Sequence, residues 1–135
     1  MSDKAFLDTN VLVYAFGQRE DRTPVAEALL AAGGVISVQV LNELTAVARR
    51  KLGMPWSDVT AALDAIKVLC PSPVSIALGT HNDAVRLAAA HGFHIYDALI
   101  IAAALESDCT SLYSEDLQSG RVIDGRLTIR NPFAA

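Results

Sequence analysis

Charge, cysteine and aromatic rings are all scarce in this 135-residue chain, and each scarcity excludes something. Charged residues make up 19% of the sequence against 52% hydrophobic ones, which is far from the composition of a disordered chain. Two cysteines, Cys70 and Cys109, stand far apart and in no metal-ligand spacing, so they read as reduced structural thiols. No apolar run approaches the roughly 18–20 residues of a membrane span. The chain opens Met-Ser-Asp-Lys and moves straight into strand-like sequence with no leader pattern, which sets the expectation of a cytoplasmic protein without a membrane partner. Repeats and low-complexity tracts are missing as well. A single domain over residues 1–135, large enough to bury its own core, is the expectation.

A basic surplus is also lacking. Net charge is −4, which counts against tight passive binding of nucleic acid through phosphates but not against an enzyme whose cations are supplied by bound metal. The basic residues that do occur are uneven: Arg49-Arg50-Lys51 form one cluster, and Arg121, Arg126 and Arg130 lie late in the chain. Both groups read as solvated surface.

Against this background four acids stand out, because each sits in apolar sequence. Asp8 ends Ala5-Phe6-Leu7 and precedes Thr9-Asn10-Val11-Leu12-Val13. Glu43 lies in Val38-Gln39-Val40-Leu41-Asn42-Glu43-Leu44. Asp97 is the lone charge from Tyr96 to Leu105, and Asp116 follows Leu112-Tyr113-Ser114-Glu115. A buried carboxylate costs several kcal/mol unless a partner compensates it. Several together, with few basic residues nearby, point to a cation as that partner. Two carboxylates ~5 Å apart repel by roughly 3 kcal/mol at an effective dielectric near 20, and a divalent ion removes the strain. Oxygen-only ligands favour Mg²⁺ or Mn²⁺ over zinc.

The patterning predicts strands at Ala5–Leu7, Val35–Ser37, Cys109–Ser114 and Leu127–Ile129. Helices are predicted over Val11–Phe16, from Thr23 as N-cap to a stop at Gly33, from Val38 to Leu52, from a Ser57 cap to Leu69, over Thr80–His91 and over Ile95–Ser107. Alternating strands and helices give an α/β fold with a mostly parallel sheet between helices. In such sheets sites form beyond the carboxyl ends of strands, where Asp8 and Asp116 fall. Glu43 shares a helical face with Val40 and Val47, and Asp97 opens the most apolar helix, so all four acids are compatible with one sheet edge. Taken singly, Asp8 and Asp97 also read as helix-terminus residues, and Asp116 as a turn residue with Glu115 as its rival.

With those residues in view, the chain resembles a PIN domain, in particular the toxin nucleases of VapBC-type toxin–antitoxin pairs. The resemblance spans essentially the whole sequence. Its carriers are Leu7-Asp8-Thr9-Asn10-Val11-Leu12-Val13-Tyr14, Asn42-Glu43-Leu44, Tyr96-Asp97-Ala98-Leu99-Ile100 and Ser114-Glu115-Asp116-Leu117. It implies a PIN-like three-layer sandwich and a Mg²⁺- or Mn²⁺-dependent endoribonuclease. Asp8, Glu43, Asp97 and Asp116 match the acidic quartet that holds metal and performs catalysis, while Thr9, Asn10 and Ser114 match supporting hydrogen-bonding positions. It implies a homodimer, an RNA substrate and a cognate antitoxin that occupies the acidic site or the groove beside it; a physically sensible inhibitor would present an Arg, which pairs bidentately with carboxylates. Two readings stand beside it: a PIN-type RNA-processing nuclease outside any toxin pair, and a non-catalytic RNA- or protein-binding module. A receiver-type phosphotransfer domain would need a late Lys, and none follows Lys67. His81, His91 and His94 read as surface or capping histidines, and Trp56 as a packing residue at a helix start.

Overall fold

Five short apolar or β-branched stretches lie side by side in the computed structural model, which describes residues 4–134. In chain order the elements are β1 (Ala5–Leu7), α1 (Thr9–Phe16), α2 (Thr23–Ala31), α3 (Val38–Arg50), α4 (Trp56–Leu69), α5 (Leu78–His91), α6 (Ile95–Glu106), β2 (Ser111–Tyr113), β3 (Val122–Ile123) and β4 (Leu127–Arg130). The sheet order is β1-β2-β4-β3. β1, β2 and β4 run parallel and β3 is antiparallel to β4, so helices flank a mostly parallel sheet in the expected α/β sandwich. No single helix among the described residues is long and apolar enough to cross a membrane.

The predicted strand at Val35–Ser37 is reduced to two isolated parallel bridges, Phe6 with Val35 and Ser37 with Val74. The segment still widens the sheet beyond β1, through Leu7 N–H to Val35 O and Val35 N–H to Ala5 O, both 2.9 Å. Gly34 makes that approach feasible: a Cβ there would stand 2.8 Å from Leu7 Cγ and 2.9 Å from Leu7 Cδ1. β3 was not foreseen, because two residues between turns carry no periodicity to read.

Two predicted caps are corrected. Thr23 is the first helical residue of α2, after Arg22, and its hydroxyl donates to Tyr14 O at 2.8 Å instead of capping its own helix. Likewise α4 starts at Trp56 after Pro55, one residue ahead of Ser57. Ser37 does cap α3, with Oγ accepting from Val40 N–H at 3.3 Å. His94 caps α6, its Nδ1 accepting from Tyr96 N–H at 3.2 Å. Helix α5 ends at Gly92 in the left-handed conformation, φ 77°, as its sequence signals.

The core joins both faces of the sheet. Phe6, Leu112, Ile129 and Leu127 are fully buried in the strands, and α6 contributes Ala98 through Leu105 as an almost unbroken buried run. A helix apolar on nearly every side belongs inside the molecule, and α6 lies there. Cys70 and Cys109 are free, buried thiols within this packing, and burial pushes both pKa values up.

Candidate active site

The parallel pairing of β1 with β2 sets the geometry of the site. Leu7 pairs with Tyr113, so the residues that follow, Asp8 and Ser114, leave the sheet together at the carboxyl ends of neighbouring strands. Backbone bonds from Asp8 N–H to Tyr113 O (3.0 Å) and from Ser114 N–H to Arg130 O (2.9 Å) hold that edge. Asp8 is 4% exposed and Ser114 is fully buried. Asp8 Oδ2 accepts from Ser114 Oγ at 2.7 Å, and Oδ1 accepts from Thr9 N–H at 2.7 Å as the cap of α1.

Ser114 is the hub beneath the site. Besides donating to Asp8, its Oγ accepts from Asp116 N–H at 3.2 Å, from Leu117 N–H at 3.3 Å and from Asn10 Nδ2 at 3.4 Å. Asn10 Nδ2 donates to Asp116 Oδ2 at 3.2 Å, and Asn10 Oδ1 accepts from Glu115 N–H at 3.2 Å. The first turn of α1 and the loop after β2 are thereby laced together. Glu43 is oriented from two sides: Thr9 Oγ1 donates to Oε1 at 2.9 Å and Gln39 Nε2 to Oε2 at 3.0 Å. Gln39 was missed in the sequence reading, although it stands four residues before Glu43, on the same helical face, in an apolar stretch.

Burial raises the pKa of Asp8 from 3.8 to about 6; the bonds from Ser114 and Thr9 pull it down, and the charges of Glu43 and Asp97 push it up. Asp97, half-buried at the start of α6, is also raised, by burial first and then by Glu43, with Asp116 adding and His94 opposing. These influences couple Asp8 to Glu43 and Asp97, and Asp97 to Glu43 and Asp116. Exposure grades outward from buried Asp8, through half-buried Glu43 and Asp97, to exposed Asp116 at the rim. None of the four forms an ion pair with a basic side chain among the described residues.

Glu115 is drawn away from this group. Tyr14 Oη donates to its Oε1 and Arg22 Nε to its Oε2, both at 2.6 Å. The Tyr14 bond, with Arg22 beside it, holds its carboxyl below the usual range. Arg22 also lies over the rings of Tyr14 and Phe133, which meet edge to face. Glu115 therefore ties α1, the start of α2 and the loop after β2 together.

The donor set suits a hard divalent cation: every candidate ligand is oxygen, and two of the four carboxylates are raised by burial and by like charge. Among the described residues, no three acidic, His or Cys side chains stand in an arrangement that by itself would hold a metal ion. Mg²⁺ typically keeps several waters and takes only one or two carboxylates directly, so it does not require three of them to converge. Glu43 and Asp116 open onto a cleft of about 430 Å³ whose lining also includes Thr9, Asn10 and Tyr14.

A parallel sheet edge carrying this constellation is the architecture of a nuclease-type α/β domain, and comparison assigns its family. The chain belongs to the PIN domain family, whose model matches residues 5–122. No curated protein sequence matches it significantly. Among solved structures its fold is similar to a toxin–antitoxin complex from Klebsiella pneumoniae, at TM-score 0.72 and 20% identity, covering 96% of this chain and 98% of that one. It is similar to VapC20 of Mycobacterium tuberculosis, a toxin that cleaves the sarcin–ricin loop, at TM-score 0.65 and 20% identity over 84% and 90% of the two chains. VapBC2 of Rickettsia felis, bound to a DNA fragment from its promoter, matches at TM-score 0.66 and 21% identity over 94% and 98%.

Proposed function

We propose that this protein is a Mg²⁺- or Mn²⁺-dependent endoribonuclease acting in the cytoplasm as the toxin of a toxin–antitoxin pair. The observation that carries the reading is that Asp8 feels the charges of Glu43 and Asp97, and Asp97 those of Glu43 and Asp116, while none of the four has a basic ion-pair partner among the described residues. Membership of the PIN family and the likeness to RNA-cleaving and antitoxin-bound structures support the same reading.

The residues divide the work. Asp8 and Asp97 supply the buried charge, Glu43 is held in one rotamer by Thr9 and Gln39, and Asp116 is steered by Asn10. These carboxylates would hold a divalent cation, which when bound would lower the pKa of a water nucleophile and offset charge on the phosphodiester. Thr9, Asn10 and Ser114 fix the carboxylates before substrate arrives, so little reorganisation remains for the reaction itself.

The proposed partners are an RNA substrate, a second copy of the chain in a homodimer, and an antitoxin. An inhibitor that inserts an Arg among the carboxylates would satisfy them bidentately and exclude metal. The test is cleavage of a structured RNA pool by purified protein with Mg²⁺, Mn²⁺ or EDTA, alongside Asp8→Asn and Asp97→Asn. Cleavage that needs metal and disappears in both variants is the expected outcome. Normal turnover by either folded variant sinks the proposal.

A further inference from the structure

The stripe of α3 that begins at Glu43 continues through Ala46 and Val47 to Arg50, the i, i+3, i+4 and i+7 positions of one helical face. These residues, with Lys51, line the same cleft as Asp116 and Asn10. A further hollow of about 370 Å³, lined by Ala46, Val47, Arg50 and Lys51, prolongs it at the basic end. Acids at one end and bases at the other are thus separated by two helical turns, about 10.5 Å of axial rise. Only small or medium apolar side chains floor the path between them.

The basic triplet itself divides by role. Arg49 Nη1 donates to Met54 O at 2.9 Å, and its guanidinium lies 4.7 Å from the ring centroid of the exposed Trp56, so Arg49 closes the turn from α3 to α4. Arg50 and Lys51 are exposed and make no ion pair or side-chain hydrogen bond among the described residues. The other Lys and Arg side chains are all engaged. Arg19, Arg22, Lys67, Arg86 and Arg126 are ion-paired, and Lys4, Arg121 and Arg130 are hydrogen-bonded. Among the described residues, the two cations without a side-chain partner stand at the mouth of the acidic cleft.

We infer that Arg50 and Lys51 form a phosphate-binding subsite that holds the RNA backbone a short distance from the bond positioned at the carboxylates. This rests on the nuclease reading above. The contact is to phosphate and so is independent of base sequence; it fixes the register of the strand in the cleft. It also supplies local attraction that a chain of net charge −4 otherwise lacks.

The test uses fluorescence anisotropy of a short fluorescein-labelled single-stranded RNA of mixed sequence, titrated across salt concentrations. Asp8→Asn serves as the non-cleaving parent, to which Arg50→Gln with Lys51→Gln is added. A control pair, Lys67→Gln with Arg86→Gln, removes the same net charge elsewhere. Single-stranded contacts contribute about −0.7 each to the slope of log affinity against log salt, so the subsite variant is expected to be shallower by about 1.4. The control pair should keep the parent slope. An unchanged slope in the subsite variant, an equal change in both pairs, or a parent that binds no RNA overturns the subsite. Metal-dependent cleavage by the wild-type protein is scored separately and tests the nuclease reading. If cleavage is seen and the slope does not respond, only the subsite fails. If the slope responds without cleavage, the nuclease reading falls, and with it the role of the subsite in placing a scissile bond; only the backbone contact at Arg50 and Lys51 is retained.

Discussion

Asp8 is the residue on which the site's energetics turn. Its folded-state pKa of about 6 lies above its ordinary 3.8, so the fold favours the protonated form. The contribution is complete below about pH 4 and is lost as pH rises towards 6, a difference of about 3 kcal/mol for a single group. Without metal, the wild-type protein is therefore expected to lose stability across that interval in urea melts. Asp8→Asn should flatten this dependence and be more stable than wild type at pH 7 in EDTA. The gain should be about 1–2 kcal/mol rather than the whole 3, because the new amide meets a Ser114 oxygen that already accepts from three N–H groups. A variant less stable than wild type under these conditions would show that Asp8 is not a strained carboxylate.

At the scale of elements, the site is assembled by ties between segments distant in sequence. The Glu115 link to Tyr14 and Arg22 joins α1 and α2 to the loop that carries Asp116. Glu115→Ala is expected to lower the melting temperature by a few degrees and slow RNA cleavage several-fold, while the metal requirement persists. Loss of all metal-dependent activity would instead make Glu115 a ligand. Gly34→Ala tests the sheet edge: the added methyl would collide with the buried Leu7, and a loss of about 1–3 kcal/mol in denaturant melts is expected. An unchanged midpoint would mean the Val35 segment gives way without cost.

The same scale shows what was legible in the sequence. Helices α3 and α5 were readable because their apolar periodicity and glycine stops agree with one another, and α6 because a long, nearly all-apolar run fits only a buried helix. The four acids stood out in the sequence because apolar neighbours isolate them; their joint role belongs to the proposed function. Thr23 and Ser57 misled because cap preference is local, whereas Thr23 is claimed by Tyr14 O across the α1–α2 turn and Pro55 starts α4 early. The role of Glu115 could not be read beside Asp116, since only folding brings Arg22 and Tyr14 against it. Gln39 was within reach, because its i, i+4 relation to Glu43 is written in the sequence.

For the whole molecule, the parallel register that ends β1 and β2 together makes one edge of the sheet the place where charge concentrates. Helix α6 delivers Asp97 to that edge because the rest of the helix belongs in the core, and α3 delivers Glu43 while its far end presents Arg50. Under the proposed function, a divalent cation would complete this cluster in a chain of net charge −4. Saturating Mn²⁺ at a hundred times its dissociation constant should therefore stabilise the fold by about 2.7 kcal/mol, read as a rise in melting temperature.

Calorimetric titration of Mn²⁺ into the purified protein at pH 6 and at pH 8 tests this account most directly. Saturable binding that releases about half a proton at pH 6 and almost none at pH 8, as Asp8 gives up its proton, is the predicted result. It should weaken strongly in Asp8→Asn and in Asp97→Asn. Absence of saturable binding, or binding unchanged in both variants, would contradict a cation site built on these carboxylates.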